Sequence, residues 1–220
     1  MNIITHLLQN RGTLINSIHA SEDLKKQCLQ LLITSTVAFA AYGFIIGLHQ
    51  NMLQALSSAL KLPILYLITL AICMPAFFIF DSFIGSKASI WQSIALALTA
   101  TTIISILLIG LAPVTLFFLL TNKNYAFFKT INILFFSISG IAGIRFFYKT
   151  ILIDSDDKSL QLRRKRFLQV WMILYAFVGT QMAWTLRPFF GASHDKFIFF
   201  QEVRGNFYTN LLRTLGDLFK

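Results

Sequence analysis

The sequence predicts an all-α integral membrane protein: a polytopic bundle of about five transmembrane helices, with amphipathic interfacial helices at both ends. Three observations predict it. Hydrophobic residues make up 56% of the 220, and the mean hydropathy is +0.68. Charged residues supply only 13%, roughly half the share of about 25% that wets a soluble domain. Those few charges also bound apolar runs long enough to cross a bilayer, for which a helix needs about 20 apolar residues.

The spans follow in order. No Asp, Glu, Lys or Arg lies between Lys26 and Lys61, which places a first span near 31–48. Lys61 and Asp81 enclose a second, near 62–80. From Ala88 to Asn122 the chain runs 35 residues without a charge and holds a third span near 90–111. That run is long for one helix and short for two. Pro113 sits inside it and removes a backbone donor, so the helix is expected to kink or break there and continue as Val114–Leu120. A fourth span falls near 125–148 and a fifth near 167–186. The chain thus divides into a cytoplasmic amphipathic segment over 1–30, a membrane domain over 31–190 and an interfacial segment over 191–220.

Sidedness is read from the cations. Nineteen Lys and Arg face nine Asp and Glu, a formal charge of +10. Because these cations mostly lie between apolar runs, they point to a bilayer and anionic headgroups rather than to nucleic acid. Arg11, Lys25, Lys26, Lys87, Lys149, Lys158, Arg163, Arg164, Lys165 and Arg166 make ten on the N-terminal side, against seven on the other. The cluster Arg163, Arg164, Lys165 and Arg166 abuts the fifth span and suits an anionic lipid surface. The N-terminus is therefore expected in the cytoplasm, and the membrane to be the inner one in a bacterium. Residues 1–27 hold no continuous apolar run of signal-peptide type, so the first span is expected to direct its own insertion.

At the ends, apolar residues recur at helical spacing. The clearer pattern is Phe200, Val203, Phe207, Tyr208, Leu211, Leu212, Leu215 and Phe219. Such a helix lies in the headgroup plane or docks on a partner.

Inside the membrane, Gly43 and Gly47 form a small-xxx-small pair, as do Ser139 and Gly143 with Gly140 between them. These residues let helices approach closely, within the bundle or between copies. Pro75 should kink the second span and free a carbonyl near residue 71. Thr34, Ser35, Thr36, Thr99, Thr101, Thr102 and Ser105 put hydroxyls on two spans. Hydroxyls line aqueous paths, but they also bond back to their own helix. Lys129 and Arg145, 16 positions apart, snorkel toward opposite interfaces.

The most distinctive stretch is 179–191. Gln181, Trp184 and Arg187 follow one another at a turn's spacing and so share a face. Together they offer an amide, an indole donor and a guanidinium to a partner or a lipid headgroup. Their other role is as an interfacial anchor.

Catalytic patterns are missing. His6, His19, His49 and His194 are scattered, and Cys28 and Cys73 are 45 positions apart, which predicts neither metal nor disulfide. The acidic run 154–157 lacks the Gly and distal Glu of an EF-hand and reads as a helix cap. No cofactor is expected.

Five closely spaced spans after a polar segment, with Ala41-Tyr42-Gly43-Phe44 and Leu62-Pro63-Ile64-Leu65-Tyr66-Leu67, resemble the Yip family of small membrane proteins over roughly residues 30–190. The extended amphipathic tail departs from that family's pattern. The resemblance implies a non-enzymatic protein acting through other proteins. The residues themselves point to a membrane subunit or adaptor associating with other membrane proteins or with itself. Their alternative is an oligomeric channel or small-solute transporter lined by the Ser/Thr-rich spans.

Overall fold

In the computed structural model the described residues are 15–18, 20, 23–86, 88–122, 124–152, 158–190 and 197–200. Five long helices account for most of them: α1 (Leu24–Gly47), α2 (Met52–Phe83), α3 (Ile90–Thr121), α4 (Tyr125–Leu152) and α5 (Lys158–Thr185). All five are long and apolar enough to cross a membrane, and the fold is all-helical as the charge fences predict.

The helices overrun the spans read from the sequence. α1 starts at Leu24 rather than near 31, and α2 at Met52 rather than near 62. α5 starts at Lys158 rather than near 167. A charge ends the stretch that lipid tolerates, but it does not end a helix. Helices stop where a side chain takes over the orphan backbone groups. Asn51 accepts the Gln54 amide at 2.8 Å and so starts α2. Ser89 and Gln92 form a reciprocal capping box at the start of α3. Asn124 takes the amides of Ala126 and Phe127 at the start of α4. Of the kink or break expected at Pro113, a break does not form: α3 continues through it as one helix to Thr121. At 32 residues each, α2 and α3 extend roughly 48 Å, against about 30 Å of hydrocarbon.

Connections of a few residues reverse the chain between α1 and α2 and between α3 and α4, so the helices run up and down. α1 packs most extensively, lying between α2 and α3. α4 flanks α3, α5 flanks α2, and α4 and α5 meet only lightly. Backbone proximity sets the α1–α2 contact. A Cβ on Gly43 would stand 2.4 Å from the Ser58 carbonyl oxygen, and one on Gly47 2.5 Å from the Ala55 Cα. Both glycines therefore serve packing within the chain. Gly143 likewise lies against Ile104 and Ala100 of α3. Ser139 is fully buried. Gly140 departs from its expected packing role, since a Cβ there would meet nothing within 4 Å.

Aromatic rings fill the wider gap between α2 and α5. Trp171 packs on Phe77 with ring centroids 4.9 Å apart, on Phe147 at 5.4 Å and on Tyr175 at 5.4 Å. Its indole donates to the Cys73 carbonyl at 3.2 Å, two residues before Pro75 in α2. Thr69, one turn earlier on α2, bonds to the Leu65 carbonyl of its own helix. Cys28 and Cys73 are both buried and both free. Near the start of the chain, residues 15–18 are helical, and Ile18 packs fully buried in the core beside Leu31. The Gln92 amide holds the Ile18 carbonyl at 3.3 Å. This part of the N-terminal segment thus seals one end of the bundle. Residues 1–14, the acidic run 154–157 and the C-terminal pattern beyond Phe200 lie outside the described residues.

Candidate functional site

The polar groups gather at the end of the bundle where α1 turns into α2, α3 into α4, and α5 ends. Three α2 side chains, Gln54, Ser58 and Lys61, are spaced i, i+4 and i+7, so they form one strip along the helix. All three are buried, Lys61 to 1% exposure. Across them runs the chain that follows α5, in two non-helical pieces, 187–190 and 197–200.

The strip holds this chain by its carbonyls. Gln54 Nε2 donates to the Pro188 carbonyl at 2.8 Å, and Ser58 Oγ to the Phe189 carbonyl at 2.7 Å. Lys61 Nζ donates to the Pro188 carbonyl at 3.3 Å and also to that of Phe199. Its ammonium lies 4.6 Å from the Phe199 ring centroid and 5.0 Å from that of Phe200, close enough for cation–π attraction. Irregular backbone is not tolerated against lipid unless its polar groups are met by protein. The strip meets them here. Lys61, read in the sequence as the boundary of the second span, is thus the buried centre of the site.

Of the expected stripe, Trp184 and Arg187 come together, with the guanidinium carbon 3.4 Å from the indole ring centroid. Trp184 stands in the last turn of α5 and Arg187 just past its end at Thr185. Trp184 is buried, not an exposed interfacial anchor. Burial lowers the pKa of the Arg187 guanidinium from its ordinary value. Gln181, also expected on this face, is half-buried one turn before Trp184. The basic cluster lies at the opposite end, at the start of α5, where Arg163, Lys165 and Arg166 are exposed as a lipid-surface role requires. The side chain of Arg164 lies outside the described residues.

A second polar group sits within the bundle. Tyr42 donates to Asn132 Oδ1 at 2.8 Å, and its hydroxyl lies 3.1 Å from that of Thr115. Asn132 in turn donates to the Phe128 carbonyl at 2.8 Å. All three side chains are fully buried, joining α1, α3 and α4. Sequence reading passed over this knot, although Asn132, an amide inside an apolar run, was the signal for it.

The hydroxyl-rich spans are spent on packing. Thr99, Thr101 and Thr102 donate to the carbonyls of Ala95, Ala97 and Leu98, four residues back in α3. Ser35 and Thr36 both bond to the Leu32 carbonyl. Thr102 also reaches the Leu31 carbonyl at 3.2 Å, fastening α3 to α1. Thr102 thus binds helix to helix, while the others named donate to carbonyls of their own helix.

Asp81, at the other end of α2, is buried to 2% exposure. Lys129 is half-buried and Arg145 exposed. Compared with protein-family models, with curated proteins and with solved structures, the chain matches none.

Proposed function

We propose that the protein is a non-enzymatic membrane subunit or adaptor, and that α5 is the helix by which it meets other membrane proteins. One observation carries this reading. A span surrounded by lipid is expected to be the most apolar of its bundle, yet α5 is the least apolar of the five and also the least covered. Its most apolar stretch is 17% buried, against 44% in α2. Its uncovered surface mixes large apolar side chains, Val170, Ile173 and Phe177, with the amide of Gln169 and the hydroxyl of Thr185. A neighbouring helix satisfies such a surface better than acyl chains do.

Two further features support it. Gln54, Ser58, Lys61, Asn132 and the α3 threonines donate to the chain's own carbonyls, which gives them structural work. The Yip resemblance points the same way, toward action through other proteins. The N-terminal side is proposed to face the cytoplasm, as the ten-to-seven excess of cations suggests.

Photo-crosslinking in native membranes tests the reading. A crosslinker at Ile173 or Phe177 is expected to give one protein adduct of fixed mass, while the same group at Leu134 or Ile138 of α4 gives lipid adducts. Lipid adducts alone at all four positions would overturn it.

A further inference from the structure

α4 and α5 follow one another in the chain yet meet only lightly. Between them, over a floor of α3, Ile144 and Phe147 of α4 and Met172 and Tyr175 of α5 line a cavity of about 30 Å³. Its polar side chains are already engaged. Thr101 donates to the Ala97 carbonyl, Trp171 to that of Cys73, and the Tyr175 hydroxyl bonds with Thr101. A cavity walled in this way stays dry and takes hydrocarbon. The gap runs on along α4. Gly140 shares a face with Ile144 and Phe147, four and seven positions on, and a Cβ there would meet nothing within 4 Å.

Cations stand at the other end of this groove. Lys165 precedes Met172 by seven positions and so lies on the same face of α5, exposed, with Arg166 beside it. From Lys165 to Tyr175 is ten residues, roughly 15 Å of helix. One leaflet is half of about 30 Å of hydrocarbon, so the cavity lies an acyl chain's reach below the ammonium. Residues 145–166 carry seven Lys and Arg against three Asp, which leaves this end of the groove positive. Basic pockets between membrane helices bind anionic headgroups. We propose that the α4–α5 groove binds one anionic phospholipid, with an acyl chain along Gly140, Ile144 and Met172 and the phosphate at Lys165 and Arg166. The groove occupies another arc of α5 from Ile173 and Phe177, so the site is independent of what that outer face meets.

The test is native mass spectrometry of the full-length chain in mild detergent, titrated with dioleoyl phosphatidylglycerol or dioleoyl phosphatidylcholine. One phosphatidylglycerol should be retained roughly tenfold more tightly than phosphatidylcholine, a margin that two cations near the surface supply. Lys165→Gln with Arg166→Gln should abolish that preference while leaving phosphatidylcholine binding unchanged. Gly140→Phe, which places a ring in open space, should expel the lipid of either headgroup without lowering the unfolding midpoint. Equal retention of the two lipids by the unaltered protein would mark an ordinary boundary lipid. A preference that survives the two glutamines would move the anion elsewhere, and one that survives Gly140→Phe would confine it to the outer surface. Each of these three results overturns the proposal.

Discussion

α2 is held from two sides in two different ways. Where α1 crosses the first turns of α2, glycines bring the backbones together, and Gly43 and Gly47 rest on Ser58 and Ala55. Where α5 crosses it, Trp171 and Phe77 keep the backbones apart and fill the gap with rings. The first contact has no tolerance for added volume, because the atoms in the way belong to backbone. The second is made of side chains that can turn. The interior of the bundle, α1 with α2 and α3, is thus a fixed frame. α5 is mounted on it by rings midway along and by the carbonyl strip at one end.

The contrast is broken most severely at the tight contact. Gly47→Leu puts a branched side chain where even a Cβ would stand 2.5 Å from Ala55. Overpacking of this kind costs about 1–3 kcal/mol or more, and the variant should lose its monodisperse peak on size exclusion in mild detergent. Lys61→Met probes the mounting of α5. It keeps the length of the side chain and withdraws the donor from the Phe199 carbonyl, while Gln54 still serves that of Pro188. A hydrogen bond from a charged donor contributes about 1.5–3 kcal/mol, and limited proteolysis should cut between 187 and 200 while α1 to α3 stay intact. Tyr42→Phe removes one interior hydroxyl from Asn132. Hydrogen bonds between membrane helices average about 0.6 kcal/mol, so the unfolding midpoint in denaturing detergent should fall only slightly. Gly140→Ala, at the glycine with open space beside it, should leave the bundle within about 0.5 kcal/mol of its original stability.

Much of this frame was legible in the sequence. The five runs between charges marked five helices, and the Gly43–Gly47 spacing marked the tight contact. Helix ends were less legible, because they depend on caps such as Asn51 and Ser89 rather than on where hydropathy falls. Lys61 was misplaced for the same reason: a charge next to an apolar run reads as a boundary until something is known to cover it. What covers it lies more than 120 positions away, at Pro188 and Phe199, and no local pattern reveals a donor's distant carbonyl. Trp184 and Arg187 were paired correctly, but by stacking across the end of α5 rather than by a shared helical face. The Tyr42–Asn132 knot escaped because its members stand on three different helices, and no local spacing brings Tyr42, Thr115 and Asn132 together.

The central claim is that α5 joins this frame to another membrane protein. Native mass spectrometry of the protein extracted in mild detergent tests it directly. The account predicts a species heavier than the 25.0 kDa chain by one defined protein, lost when Ile173 and Phe177 are replaced by alanine. The 25.0 kDa chain flying alone or with lipid only, in both forms, would contradict it.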